Sequence, residues 1–257
     1  MVPSMKRLVQ HLHTYLQGRC TPDEVFQVET IGRLLDADYS GAMRYGEIMR
    51  HGDFGLGTFA GLDGEMAAVD GHYYRFGPDG SGERVDPESQ APFAVVKHFQ
   101  TDITIHLDGP CDLEAVQALI DERLPEQDAL CAVKISARFD DLQFRVMRRQ
   151  NDGTDLDTAS KSQAEFHEQG LKGVLVGFRF PADSAPVGVP GYHLHLIIDD
   201  GRMGGHCHGA VLSDIAIEID DTDHLHLAAE DGMTRLTAGM SAGDRERLDR
   251  VERERRT

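Results

Sequence analysis

Short apolar fragments separated by glycine-bearing turns dominate the first third of the chain. In Glu24–Asp36 (EVFQVETIGRLLD) an apolar lead-in passes into Ile31, Leu34 and Leu35 at helical spacing, which predicts a short strand and then a helix. From Gly52 to Phe76 the apolar pieces are too short for helices. They are punctuated by Asp63-Gly64 and Asp70-Gly71, two dipeptides that favour hairpin turns. Three antiparallel strands are predicted at 54–60, 65–69 and 72–76, followed by a polar loop over 77–90.

The pattern then predicts strands at 92–98 and 102–107. Residues 112–124 (DLEAVQALIDERL) form an amphipathic helix with acidic residues in its first turn. Strands follow at 130–136 and 142–148, then a polar loop over 150–165. From Gly173 to Ile219 the chain is β-rich again, and Asp244–Arg255 is a charged stretch with helical propensity. No internal repeat holds: HLH recurs at 11–13, 193–195 and 224–226 with different flanks. The fold class is α/β of the mixed α+β kind, with two subdomains built on mixed and antiparallel β-sheets and a few helices. The expected division is an N-terminal extension (1–24), an N-terminal mixed-sheet subdomain (25–165) and a C-terminal β subdomain with a charged tail (166–257).

Composition narrows the function. With 40% hydrophobic residues in 257, the chain can bury a sizeable core. No apolar run is long enough to span a bilayer, and polar residues and histidines after Lys6 and Arg7 spoil any signal-peptide core. A cytoplasmic location is the expectation. A formal net charge of −18 repels phosphate backbones and anionic membranes, so neither nucleic acid nor membrane is an expected partner. An anionic substrate would need a local cation, from arginine or a metal. Cys20, Cys111, Cys131 and Cys207 are scattered without a CxxC pair, which fits reduced thiols.

The most informative segment is Val189–His206 (VPGYHLHLIIDDGRMGGH). Positions i and i+2 on a strand share a face, so His193 and His195 present two imidazoles side by side. The turn-rich stretch Asp199–Gly204 reverses the chain, and Gly204 and Gly205 permit a close return that brings His206 opposite the pair. Three neutral imidazoles suit zinc, with a fourth position open for water or substrate. His208, two residues on, shares a strand face with His206 and stays open as a spare ligand. His11/His13 and His224/His226 lack a glycine-backed third histidine and read as ordinary surface pairs.

This segment resembles the metal-binding motif of the acetolactate decarboxylases, in which a GYHLH-like strand and a short acidic loop lead to GGH. The similarity extends in order over roughly residues 25–210. Gln27–Gly41 (QVETIGRLLDADYSG), His51–Arg75 (HGDFGLGTFAGLDGEMAAVDGHYYR), Lys134–Gln150 (KISARFDDLQFRVMRRQ) and Lys172–His195 each resemble a block of that family. The resemblance implies metal ligands at His193, His195 and His206, hence zinc or another divalent ion in the C-terminal subdomain. It implies catalytic roles for Glu65, Thr58 and Arg145, and for a C-terminal glutamate that matches Glu252, with Glu254 the competing choice. After Arg145 the chain departs from the family's proline and KPY-like element, carrying Met147, Arg148 and Arg149 instead.

The activity implied is decarboxylation of (S)-2-acetolactate to (R)-acetoin and carbon dioxide, a step of acetoin and butanediol formation. It would proceed through a metal-stabilised enediolate protonated by a glutamate, Glu65 first and the C-terminal glutamate second. Arg145 would supply the positive charge that the acidic surface lacks. The expected partner is a small-molecule substrate, and a homodimer is left open. Unaided, Glu65 reads as a strand-end carboxylate and Arg145 as a surface cation. The alternatives are a cupin-like metal-dependent oxygenase or isomerase, which also uses HxH and a later histidine, and a noncatalytic metal-binding protein.

Overall fold

The structure is a computed structural model. It describes residues 23–124, 129–151, 153–185, 187–222, 224–229 and 240–253. His11, His13, Cys20 and Glu254 lie outside the described residues.

Seven strands build a first sheet. In chain order the elements begin with β1 (Glu24–Val28), helix α1 (Ile31–Leu35), β2 (Met43–Arg44) and helix α2 (Tyr45–Ile48). There follow β3 (Phe54–Thr58), β4 (Glu65–Val69), β5 (His72–Phe76), β6 (Gly82–Arg84), β7 (Gln90–Ala91) and β8 (Phe93–Lys97). The β4–β5 hairpin turns on Asp70 and Gly71, both at positive φ (50° and 77°), as the Asp-Gly dipeptide requires of a two-residue turn. The stretch 77–90, expected to be loop throughout, contributes β6, which pairs with β5, and the start of β7. These pairings are only two or three residues long, too short to leave a periodic signal.

The second sheet draws on β9 (Ile103–Leu107), β10 (Cys111–Asp112), β11 (Leu130–Val146), β12 (Ala164–Glu168), β13 (Leu171–Phe180), β14 (Gly191–Ile198) and β15 (Met203–Thr222). Helices α3 (Leu113–Arg123) and α4 (Leu156–Lys161) lie between these strands in sequence. β16 (His224–Ala228) then returns to the first sheet, and helix α5 (Ala242–Arg253) follows. The first sheet has the order β16-β1-β8-β3-β4-β5-β6, with β16 parallel to β1. The second sheet closes on itself. β11 pairs with β13 on one side and β15 on the other, and β14 bridges β13 and β15.

Two expectations are corrected here. Residues 130–136 and 142–148, read as two strands, are one strand, β11, running over 17 residues. The polar patch at Arg138, Asp140 and Asp141 is accommodated by register shifts against β15 between Ser136/Arg138 and Phe139/Asp141, which absorb the interruption without ending the strand. The polar stretch 150–165 contains α4, capped by the Asp155 side chain on Thr158 N (3.0 Å). The strands pass from the first sheet to the second between Lys97 and Ile103. Glu165, at the expected subdomain boundary, lies within β12 of the second sheet.

One apolar core joins the two sheets. It includes Leu56, Phe76 and Phe93 from the first and Val146, Val176, Phe178 and Ile197 from the second. Another fills the closed sheet beneath α3, which buries Leu113, Val116 and Ile120 against it. A buried ion pair also ties the sheets. Lys97 Nζ on β8 lies 2.7 Å from Asp220 Oδ1 on β15 and donates to Thr222 Oγ1 at 2.6 Å. Burial pushes Asp220 up to about 6 despite the lysine beside it. Lys97→Met would strand that carboxylate, and the expected cost is about 3–5 kcal/mol, read by urea titration at neutral pH. A loss below about 1 kcal/mol would show that the pair is dispensable.

Candidate metal and reaction centre

Strand register assembles the centre. On β14, His193 and His195 sit two residues apart on one face. His195 pairs directly with His206 on β15, and His206 pairs directly with Arg145 on β11. Directly opposed residues in an antiparallel ladder project to the same side. Arg145, His206 and His195 therefore form a row across three strands, with His193 beside it. Glycine makes the row possible: a Cβ at Gly205 (φ +155°) would collide with the Arg145 carbonyl oxygen. From the facing sheet, β3 and β4 place Thr58 opposite Glu65.

One ring nitrogen from each of the three histidines lies within 4.8 Å of the others. His193 Nε2 and His195 Nε2 are 3.2 Å apart. His195 Nδ1 donates to the Met66 carbonyl at 2.8 Å, which leaves the lone pair on Nε2, toward the other rings. His206 Nδ1 is buried with no hydrogen-bond partner among the described residues. This donor set fits a divalent ion such as zinc.

All three rings are held neutral. Burial pushes His193 and His195 down to about 3, and His206 well below the usual histidine range, with the Arg145 charge acting in the same direction. An unfolded histidine titrates near pH 6.5. Between about pH 6.5 and about 3 the unfolded chain therefore binds more protons than the folded one. Metal-free protein is expected to lose stability as pH falls through that window. Urea midpoints at pH 7 and pH 5 in the presence of chelator would check it, and equal midpoints would refute it.

Carboxylates close the centre. Glu65 Oε1 accepts from Arg145 Nη1 and from the Met147 backbone N–H (3.2 Å), while Oε2 stands 3.6 Å from His195 Nε2. Glu252, on α5, places Oε2 3.6 Å from both His193 Nε2 and His206 Nε2, and Oε1 3.9 Å from Arg145 Nη2. Arg145 thus sits between two glutamates, and its Nε is buried with no hydrogen-bond partner among the described residues. Thr58 Oγ1 donates to the Gly64 carbonyl at 2.8 Å. These groups line a cavity of about 40 Å³ whose other walls include Leu34, Leu62, Phe93, Met147, Leu156 and Val251. Glu252 also borders a wider cleft of about 830 Å³ between α3 and α5.

The structure thus brings Glu65, Thr58, Arg145, His193, His195, His206 and Glu252 together. The Met66 carbonyl and the Met147 N–H escape sequence reasoning, because backbone groups carry no residue-type signal. His208 contacts His206 by its ring edge, with centroids 5.3 Å apart, and is not in the three-histidine group. His224 and His226 are exposed on the edge strand β16, where His226 Nδ1 meets Glu24 at 3.2 Å. Cys111, Cys131 and Cys207 are free thiols, and burial pushes Cys131 up to about 12.

Comparison with known proteins identifies the family. The sequence profile of the alpha-acetolactate decarboxylase family matches residues 25–235. The chain belongs to that family. It is 36% identical over 230 residues to an alpha-acetolactate decarboxylase of Methylococcus capsulatus, covering 89% of this chain and 88% of that one. With a Bacillus subtilis alpha-acetolactate decarboxylase it shares 34% identity over 205 residues, covering 79% and 80%. The crystal structure of the decarboxylase from Bacillus subtilis strain 168 superposes with a TM-score of 0.84 at 30% identity, covering 90% of this chain and all of that one. Family membership leaves the cupin-like alternative without support. Glu252 lies beyond the residues matched by the family profile, so its place in the centre rests on the geometry of this chain. Among the described residues, no helix is long and apolar enough to cross a membrane.

Proposed function

We propose that the chain converts (S)-2-acetolactate to (R)-acetoin and carbon dioxide. The observation that carries this reading is the convergence of three neutral histidines, an arginine and two glutamates on one buried centre in a chain of this family. His193, His195 and His206 would hold a zinc-like divalent ion. When bound, that ion supplies Lewis acidity to the ketone and hydroxyl oxygens of the substrate, which sit on adjacent carbons.

The chain's own residues do the rest. The apolar walls exclude water and accommodate methyl groups. Arg145 Nε is a donor left over for a substrate oxygen, in a centre that must attract an anion despite a formal charge of −18. After carbon dioxide leaves, the carbon that carried it needs a proton. Both hydrogen bonds to Glu65 fall on Oε1, so a transferable proton belongs on Oε2, the oxygen nearer the histidines. Delivery from one fixed side gives acetoin a single handedness. Glu252 stands across the centre as the second carboxyl group, and Thr58 retains acceptor lone pairs at the cavity wall.

Carbon dioxide release from racemic acetolactate, with and without chelator, tests the proposal. Chelator-sensitive release with (R)-acetoin as product supports it, and no release from metal-loaded protein refutes it. Arg145 yields a graded prediction. Arg145→Lys keeps the charge but loses the planar fork that reaches Glu65, so kcat/KM should fall about 10-fold or more, and Arg145→Ala should fall further. Near-wild-type kinetics in both variants, with metal bound, would remove Arg145 from the centre.

A further inference from the structure

Helix α5 delivers Glu252, yet little apolar surface holds it in place. Among its described side chains only Leu248, Val251 and Glu252 are buried, and one of those is a carboxylate. At its end, His206 Nε2 donates to the Glu252 carbonyl at 3.1 Å, and further along the helix the polar anchorage comes from α4. Asp157 Oδ2 lies 3.7 Å from Arg247 Nε and 3.5 Å from Arg250 Nη1. At a rise of 1.5 Å per residue, Arg250 is about 3 Å along the helix axis from Glu252. Asp157 also adjoins Leu156, which lines the reaction cavity together with Glu65 and Glu252.

We propose that Asp157 is a positioning residue, clamping α5 through Arg247 and Arg250 so that Glu252 faces the three histidines. The proposal rests on the reading of Glu252 as part of the reaction centre. Both arginines also have partners within their own helix, Asp244 at 3.4 Å for Arg247 and Glu246 at 3.4 Å for Arg250, on carboxylates more exposed than Asp157. Loss of the clamp therefore leaves α5 helical but poorly seated. The three charged groups are partly exposed, so the clamp is sensitive to salt.

The test compares wild type, Asp157→Asn and Arg247→Gln/Arg250→Gln, each loaded with metal. Amide exchange across residues 242–253 reads docking whether or not the protein turns over acetolactate. Faster exchange there in both variants is expected, and unchanged exchange overturns the clamp. Turnover should fall about five- to tenfold, the scale set by losing two exposed ion pairs. About 1 M salt should reproduce that loss in wild type and add little to Asp157→Asn. In a Glu252→Gln background, Asp157→Asn should cost nothing further, because the group it positions is gone. An equal loss in that background would assign Asp157 a merely structural role and overturn the proposal. Faster exchange with unchanged turnover would overturn it too. An inactive wild type would refute the decarboxylase reading, while the exchange data still decide the clamp.

Discussion

His195→Ala is expected to release most of the bound metal and to lower turnover by about 10²–10⁴-fold. Lewis-acid stabilisation is worth several kcal/mol, and each 1.36 kcal/mol is a factor of ten in rate. His195 is the most constrained of the three rings. Its Nδ1 is fixed by the Met66 carbonyl of the first sheet, and its strand partner is His206. Elemental analysis of the purified variant, with carbon dioxide release measured in parallel, is the check. Retention of both metal and turnover would mean that the ion sits elsewhere.

Glu65→Gln has the second large effect. The amide keeps the carboxylate's shape but is not a proton donor of comparable acidity. General acid catalysis contributes about 10²–10⁴-fold, and a loss of that size in kcat is expected with metal content unchanged. The stereochemistry of residual product is the sharper readout. Protonation by solvent would erode the (R) excess, whereas protonation from the opposite carboxyl group would alter it differently. A Glu65→Gln protein with normal rate and handedness would shift the acid role to Glu252.

Much of this centre was legible in the sequence because it rests on local rules. The i, i+2 alternation put His193 and His195 on one face, and the paired glycines before His206 announced a close return. Glu65 and Arg145 were another matter. They are eighty residues apart and belong to different sheets, so only the family resemblance singled them out, and neither motif says that they bond to each other. Glu252 and Glu254 are indistinguishable by composition or spacing. Glu252 turns inward because it shares the buried face of α5 with Leu248 and Val251, a placement that only the docked helix reveals. The short pairings within 77–90 and 150–165 escaped because two- to six-residue elements are specified by their tertiary partners more than by local pattern. β11 escaped for the opposite reason, its bulges mimicking the polar break between two strands.

The parallel pairing of β1 with β16 governs how the molecule comes into being. Every other strand of the first sheet is complete once Lys97 has been made, yet Glu24 waits for His224. During synthesis β1 is therefore an unprotected edge, open to pairing with another growing chain. Glu252 arrives later still. A nascent chain can thus fold most of its sheets, and even gather its three histidines, while lacking the second carboxylate of the centre. On the proposed reading of Glu252, a message cut short near its end would yield a chain that keeps both sheets and the three histidines yet turns over acetolactate more slowly.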